Sequence, residues 1–341
     1  MNEELVVRLV DLKGSHYQFG LKQSKEILSS ALSKQVDLLH ELTIASNSQI
    51  AQQVLQEVSP NILQELEGLA FGLNMPLHKI IQLFSGYDIM FPEMGCTSLV
   101  HDGYYVRNYD FSPDMYDARL VFSNPLDGYA SVGFSQSVLG RLDGMNEKGL
   151  VVGLHFVNNE HRGEGFIAPA IVRMVLEQCE NIEEAIEFMT KLPHGYCYNY
   201  SLTDRSGKGI VVEATPQKQV IHSDYPQVCT NHFEAKELVE KNRAFIEGSM
   251  KRKEYVNSLL LENLSALSAY HHFNNGESPV FFKHYKEYFG TLHTVLYSPK
   301  DLEMIVGIGE NCEPMKFSLK KYIEGTLILP EYIMGRINQP T

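Results

Sequence analysis

Residues 91–111 read Phe-Pro-Glu-Met-Gly-Cys-Thr-Ser-Leu-Val-His-Asp-Gly-Tyr-Tyr-Val-Arg-Asn-Tyr-Asp-Phe, and the texture of the chain changes across them. Before Pro92 the pattern is mostly helical. After it, β-branched and aromatic runs are punctuated by Asp-Gly and Glu-Lys-Gly turns. Asp102-Gly103 has the form of a tight hairpin connection, which places Cys96 and Asp110 on adjacent strands and lets them come face to face.

Upstream of this seam a short strand is expected over 5–12. Ser15-His16-Tyr17-Gln18 has the form of a capping box. It opens a helical run with apolar residues at Phe19, Ile27, Leu28, Leu32, Val36, Leu39 and Leu42. Ser59-Pro60 predicts a second helix start, with Ser as N-cap and Pro at the first helical position. Downstream, strands are predicted over 97–107, 118–124, 128–135 and 149–156, then helices over 165–178 and 182–191. Further strands fall over 198–204, 208–214, 217–222 and 227–230. A charged helix is expected over 234–262 and another over 265–273, followed by strands over 291–298, 302–308 and 314–318. Antiparallel hairpins with helices in blocks argue for an α+β fold with helix-covered sheets.

The 341 residues carry 29 Lys+Arg against 42 Asp+Glu, a formal charge of −13. That balance disfavours nucleic-acid partners, which require clustered cations. The sequence contains no run of about 18 apolar residues, so no membrane span is expected. Nor does the start carry a secretory layout. The five cysteines, Cys96, Cys179, Cys197, Cys229 and Cys312, are scattered and form no CxxC pair, as in a chain of a reducing cytoplasm. No HExxH, GxGxxG or Walker pattern occurs, so neither a metal nor a nucleotide cofactor is expected.

The chemistry concentrates at the seam. Gly95 lacks a Cβ, so its carbonyl can be approached closely and its backbone can hold unusual angles. A thiol on the next residue can attack that carbonyl and release a new N-terminus at Cys96. An N-terminal cysteine carries its own base, an α-amine with an ordinary pKa of about 7.7–8.0. Asp110 can hold that amine, and Arg107 can orient an acid or a substrate carboxylate. His101, His155, His161, His194, His222 and His232 are the candidates for a Cys–His pair, but no spacing singles one out.

Gly95-Cys96-Thr97-Ser98 followed by Arg107-Asn108-Tyr109-Asp110-Phe111 resembles the choloylglycine hydrolase and isopenicillin N acyltransferase families of N-terminal-nucleophile hydrolases. The resemblance continues at Gly144 to Leu154, Tyr200 to Asp204, Val211-Val212-Glu213, Cys229 to Phe233 and Leu292 to Ser298. The long leader before Cys96 resembles the acyltransferase branch. This resemblance implies a four-layer αββα sandwich, with 1–95 as a helical pro-region or small subunit and 96–341 as the catalytic core. It implies autocleavage between Gly95 and Cys96, with Cys96 as nucleophile and its α-amine as base. Asp110 would hydrogen-bond the amine, Arg107 would order carboxylate and thiol, and Asn231 would donate its side-chain NH₂ to the oxyanion. His155 stands where the family's second oxyanion residue is Asn, so only its backbone N–H carries over. Arg252 matches the basic residue of the later helix, with Arg243 and Lys251 as alternatives. The implied activity is hydrolysis of a linear amide in a small N-acyl substrate, or transfer of its acyl group to another amine. A non-catalytic binding protein with the same fold is the alternative from another class. No cofactor is implied, and a homo-oligomer is allowed for.

Overall fold

The computed structural model describes residues 2–29, 32–90, 92–261, 264–287 and 289–338. Phe91, at the head of the seam, and Glu262, at the end of the helix expected over 234–262, lie outside the described residues.

At the centre, Gly95–His101 pairs antiparallel with Tyr104–Phe111. Asp102 and Gly103 both have positive φ, 45° and 76°, as a two-residue hairpin turn of this hand requires. Among the described residues the hairpin belongs to a seven-stranded sheet in the order Gln227–Cys229, Gly95–His101, Tyr104–Phe111, Phe289–Ser298, Glu303–Ile308 and Met315–Ser318, with Lys283–His284 beside Phe289–Ser298. A second sheet, ten-stranded among the described residues, faces it. Its order runs Gln219–His222, Gly209–Ala214, Cys197–Thr203, Val151–Asn158, Asp143–Asn146, Ser131–Gln136, Arg119–Pro125, Asn2–Gly14 and Tyr332–Asn338, with Gly140–Arg141 paired to Ser131–Gln136.

Helix Ala168–Gln178, with Ile182–Lys191 beside it, covers the ten-stranded sheet. Glu247–Leu259 and Ala266–Asn274 cover the seven-stranded one. The result is the expected α+β, four-layer αββα arrangement. The layers follow from burial on both faces: nearly every residue of the central strands is buried, so each sheet needs a partner above and below.

The N-terminal region adds its own helices, His16–Ser29, Leu32–Leu42, Ser48–Val58, Pro60–Leu73 and Leu77–Phe84. The capping box forms: Ser15 N–H donates to Gln18 Oε1 at 2.9 Å and Gln18 N–H to Ser15 Oγ at 3.3 Å. His16–Ser29 and Pro60–Leu73 cross with backbones in contact. A Cβ on Gly20 would stand 2.0 Å from the Glu65 carbonyl oxygen, and one on Gly68 would stand 2.0 Å from that of Tyr17.

Several expectations need amending. Ser59 occupies the N-cap position, but its hydroxyl makes no capping bond. The first strand runs longer than expected, Asn2–Gly14, and is inserted into the ten-stranded sheet, parallel to Arg119–Pro125 and antiparallel to Tyr332–Asn338. That C-terminal strand was not anticipated. Among the described residues of the stretch 234–262, only Glu247–Leu259 is α-helical. Its first part is held off the helix by side chains: Glu213 accepts the N–H groups of Glu234 (2.6 Å) and Ala235 (3.1 Å), and Asn242 bonds both the N–H and the carbonyl of Phe233. Among the described residues no helix is long and apolar enough to cross a membrane.

Candidate active site

The hairpin register sets the geometry. Cys96 lies opposite Tyr109, and Asp110 lies opposite Gly95. Cys96 and Asp110 are therefore not face to face but one position out of step, on opposite faces of the sheet. Counting back from the two-residue turn at Asp102-Gly103 was the signal for this in the sequence. Cys96, Arg107 and Tyr109 point into the space between the sheets. Asp110 points to the outer side, toward helix Glu247–Leu259.

Cys96 is fully buried, and both of its ends are held. Its backbone N–H donates to Asn231 Oδ1 at 2.9 Å. Its Sγ accepts from Arg107 Nη2 at 2.9 Å, and the same nitrogen donates to the Leu154 carbonyl at 2.7 Å. Burial pushes the Cys96 thiol up to about 12, with Arg107 only partly opposing. At neutral pH it is a thiol and needs a base to become a nucleophile.

Gly95 does not adopt a left-handed backbone, so the angle argument for glycine does not apply here. Space is the reason instead. A Cβ at 95 would lie 2.3 Å from the Phe289 ring and 3.1 Å from Asp110 Oδ2. Asp110 is fully buried; its Oδ1 accepts from Thr291 Oγ1 at 2.6 Å, while Oδ2 has no hydrogen-bond partner. Arg252 Nη1 is 3.9 Å from that oxygen, and burial raises the Asp110 carboxyl above its ordinary range against the pull of Arg252 and Thr291.

Asn231 follows strand Gln227–Cys229. Its Oδ1 is shared by Cys96 N–H and Arg252 Nη2 (2.5 Å), and one Nδ2 hydrogen goes to the Phe156 carbonyl at 2.8 Å. The second Nδ2 hydrogen is left over for another acceptor. Among the three basic candidates, Arg252 is the one in the cluster. Arg243 pairs with Glu93 at 3.3 Å nearer the surface, and Lys251 is exposed.

His155 reaches the site with its side chain, which the backbone argument did not foresee. Nε2 meets Ser98 Oγ at 3.1 Å and Ser201 Oγ at 2.9 Å, and Nδ1 makes no hydrogen bond although the Cys96 backbone lies beside the ring. Burial, then Arg107, holds the imidazole well below its usual pKa, so it is neutral. Its Nε2 is engaged by two serines, and among the described residues no histidine hydrogen-bonds Cys96 Sγ.

Asp143 was missed. It stands just before the Gly144–Leu154 motif, and its Oδ2 lies 2.6 Å from Arg107 Nη1 across the sheet interface. The available signal was an acid in an otherwise apolar run, Leu142-Asp143-Gly144-Met145, since a buried acid requires a partner. That partner's identity was not in the sequence.

The family model of acyl-coenzyme A:6-aminopenicillanic acid acyl-transferase matches residues 99–312. The match spans Arg107, Asp110, Asp143, His155, Asn231 and Arg252 and begins three residues after Cys96. No curated protein sequence matches. Among solved structures, a mutant conjugated bile acid hydrolase from Clostridium perfringens superposes with a TM-score of 0.50 at 15% identity, over 66% of this chain and 93% of that one. Penicillin V acylase from Agrobacterium tumefaciens gives 0.38 at 17% identity, over 67% and 86%. The Caenorhabditis elegans ortholog of N-acylethanolamine-hydrolyzing acid amidase gives 0.39 at 14%, over 61% and 93%. The first of these shares the two-sheet sandwich, the N-terminal-nucleophile hydrolase fold. With more than half of its length matched by the family model, the chain belongs to the acyl-coenzyme A:6-aminopenicillanic acid acyl-transferase family and is an enzyme of amide hydrolysis or acyl transfer.

Proposed function

We propose that the chain cuts itself between Gly95 and Cys96 and then hydrolyses the linear amide bond of a small N-acyl substrate through a thioester on Cys96. The observation that carries this reading is the grip on Cys96: Asn231 holds its nitrogen and Arg107 its sulfur, both at 2.9 Å.

In the first reaction Sγ attacks the Gly95 carbonyl carbon and the acyl group moves from nitrogen to sulfur. Water then hydrolyses the thioester, leaving a Gly95 carboxylate, a free thiol and the α-amine of Cys96. Cleavage precedes turnover because Met94 and Cys96 are both fully buried in the uncut chain. The new amine takes the thiol proton that burial otherwise keeps in place. Asp110 Oδ2, beside Gly95 and without a hydrogen-bond donor, is the acceptor for the resulting ammonium.

In the second reaction the thiolate attacks the substrate carbonyl, and the ammonium returns its proton to the leaving amine. The free Nδ2 hydrogen of Asn231 supports the oxyanion, a donor of the kind that lowers a barrier by about 2.7–4 kcal/mol. Water resolves the acyl-enzyme. The family's own description favours a second reading, in which another amine takes the acyl group from the same thioester. On either reading residues 1–95 become a small subunit and 96–341 the catalytic core.

Intact-mass analysis of active protein tests maturation, and one full-length chain in fully active protein defeats it. Released amine is then assayed over N-acyl amino acids, conjugated bile salts and penicillins. Wild-type protein is expected to release amine from at least one of these and Cys96→Ala from none. Activity that survives Cys96→Ala rejects the nucleophile, and no labelling of Cys96 by a thiol-reactive acyl probe supports a binding protein instead.

A further inference from the structure

Asp143 has no part in the steps above. It opens the short strand Asp143–Asn146 of the ten-stranded sheet, yet its carboxylate reaches groups of the other sheet. Oδ2 lies 2.6 Å from Arg107 Nη1 and 3.5 Å from His293 Nε2, and Oδ1 accepts from the Tyr297 hydroxyl at 2.7 Å. Asp143, Arg107, His293 and Tyr297 are all fully buried. His293 is itself fixed, with Nδ1 2.8 Å from the Tyr116 hydroxyl and its ring stacked on Phe134 at 3.6 Å.

Arg107 thus has two duties on one rigid plane. Nη1 is held by Asp143, and Nη2 is divided between Cys96 Sγ and the Leu154 carbonyl. Because a guanidinium is planar, fixing one nitrogen fixes the direction of the other. Asp143 is anchored at both oxygens by His293 and Tyr297, four residues apart on one strand. The line Asp143–Arg107–Cys96 therefore ties the thiol to both sheets at once.

We propose that Asp143 is a positioning residue for the Cys96 chemistry: it aims Arg107 Nη2 at the sulfur and offsets the guanidinium charge there. This rests on the reading that Cys96 is the nucleophile.

The test is amide hydrolysis by the mature protein as a function of pH, for wild type, Asp143→Asn, Arg107→Gln and the double variant. In Asp143→Asn, kcat is expected to fall about 100-fold, the scale of a small misplacement of a reacting group, with KM changed less than about two-fold. The double variant is expected to be no slower than Arg107→Gln alone. The acid limb of the kcat profile moves to lower pH, because an anion has left the surroundings of Cys96. Arg107, Asp110, Arg252, Tyr109, Tyr198, His155 and Cys229 also surround that residue, while His293, Tyr297, Tyr116 and Tyr105 surround Asp143, and all stay in place in the single variant. Should Asp143→Asn not fold, Tyr297→Phe keeps the ion pair but frees Oδ1, and a lower kcat per folded molecule at unchanged KM is expected. Wild-type turnover in Asp143→Asn overturns the proposal. So does a loss that tracks only the folded fraction with an unmoved limb, additive effects in the double variant, or wild-type kcat in Tyr297→Phe. Activity retained by Cys96→Ala is read in a different protein and overturns the nucleophile reading together with this one.

Discussion

Between the two sheets, Arg107 is shared by a carboxylate and a thiol; between the N-terminal helices and helix Ala168–Gln178, Arg173 is shared by two carboxylates. Arg173 Nη2 lies 2.8 Å from Glu65 Oε2 and 2.5 Å from Glu177 Oε1, and His16 Nε2 is 3.1 Å from Glu177. Gln23 links Glu65 to Arg119, which donates to Gln23 Oε1 at 2.6 Å. Every member of this second cluster is buried. Its carboxylates meet cations in contact, so although burial works to raise Glu177, Arg173 and His16 bring it down to about 2. Asp110, on the outer side of the seven-stranded sheet, is just as buried, but its arginine stands 3.9 Å away, and burial wins. Asp143, equally buried but 2.6 Å from Arg107, is held below its ordinary range against its own burial, so contact with a cation decides the direction of the shift. Where opposite charges touch, the network ties elements together; where the Asp110 oxygen lacks a donor beside Gly95, the surroundings are suited to holding a proton.

If that contrast is right, Glu65→Ala acts on stability alone. Removing one partner of a buried pair costs about 3–5 kcal/mol, read as a lower urea midpoint, while kcat per folded molecule stays at the wild-type value. A large kcat loss in folded Glu65→Ala would erase the distinction between the two regions. Asn231→Ala should do the reverse, lowering kcat by about 10²–10³-fold, with a smaller stability change than Glu65→Ala. Thr291→Val removes the donor to Asp110 Oδ1; loss of a hydrogen bond to a charged group is worth about 1.5–3 kcal/mol, and unfolding in urea measures it. The most gradual effect is acid weakening. Glu177 has an ordinary pKa of 4.5 and about 2 in the fold, so the unfolded chain binds its proton first as pH falls through that window. Its contribution is complete above pH 4.5 and lost toward 2, at no more than about 1.4 kcal/mol per pH unit. Urea midpoints against pH should fall less steeply in Glu177→Gln than in wild type.

Much of this was legible locally. The Asp102-Gly103 turn, the capping box at Ser15–Gln18 and most strands of the second half depend on near neighbours, and their sequence signals point to the observed elements. The motif residues Cys96, Arg107, Asp110, Asn231 and Arg252 could be picked out, and the fold brings them into one buried cluster. Less visible was anything set by a distant partner. Strand Tyr332–Asn338 alternates buried Ile333 and Ile337 with exposed Tyr332, Met334 and Arg336, yet its edge position beside Asn2–Gly14 becomes plain only when the sheet is assembled. The expected helix before Glu247 has helical composition, but Glu213 and Asn242 capture its backbone from elsewhere.

By itself the sequence determined the α+β layering, the hairpin and the chemical inventory around Cys96, because those follow from periodicity, turn residues and residue type. Only the tertiary structure decided that Arg252 is the cation nearest Asp110, that the His155 ring turns inward, and that Asp143 is the counter-ion of Arg107. Those outcomes depend on which faces of two sheets meet, and long-range packing sets that across separations that no local pattern encodes.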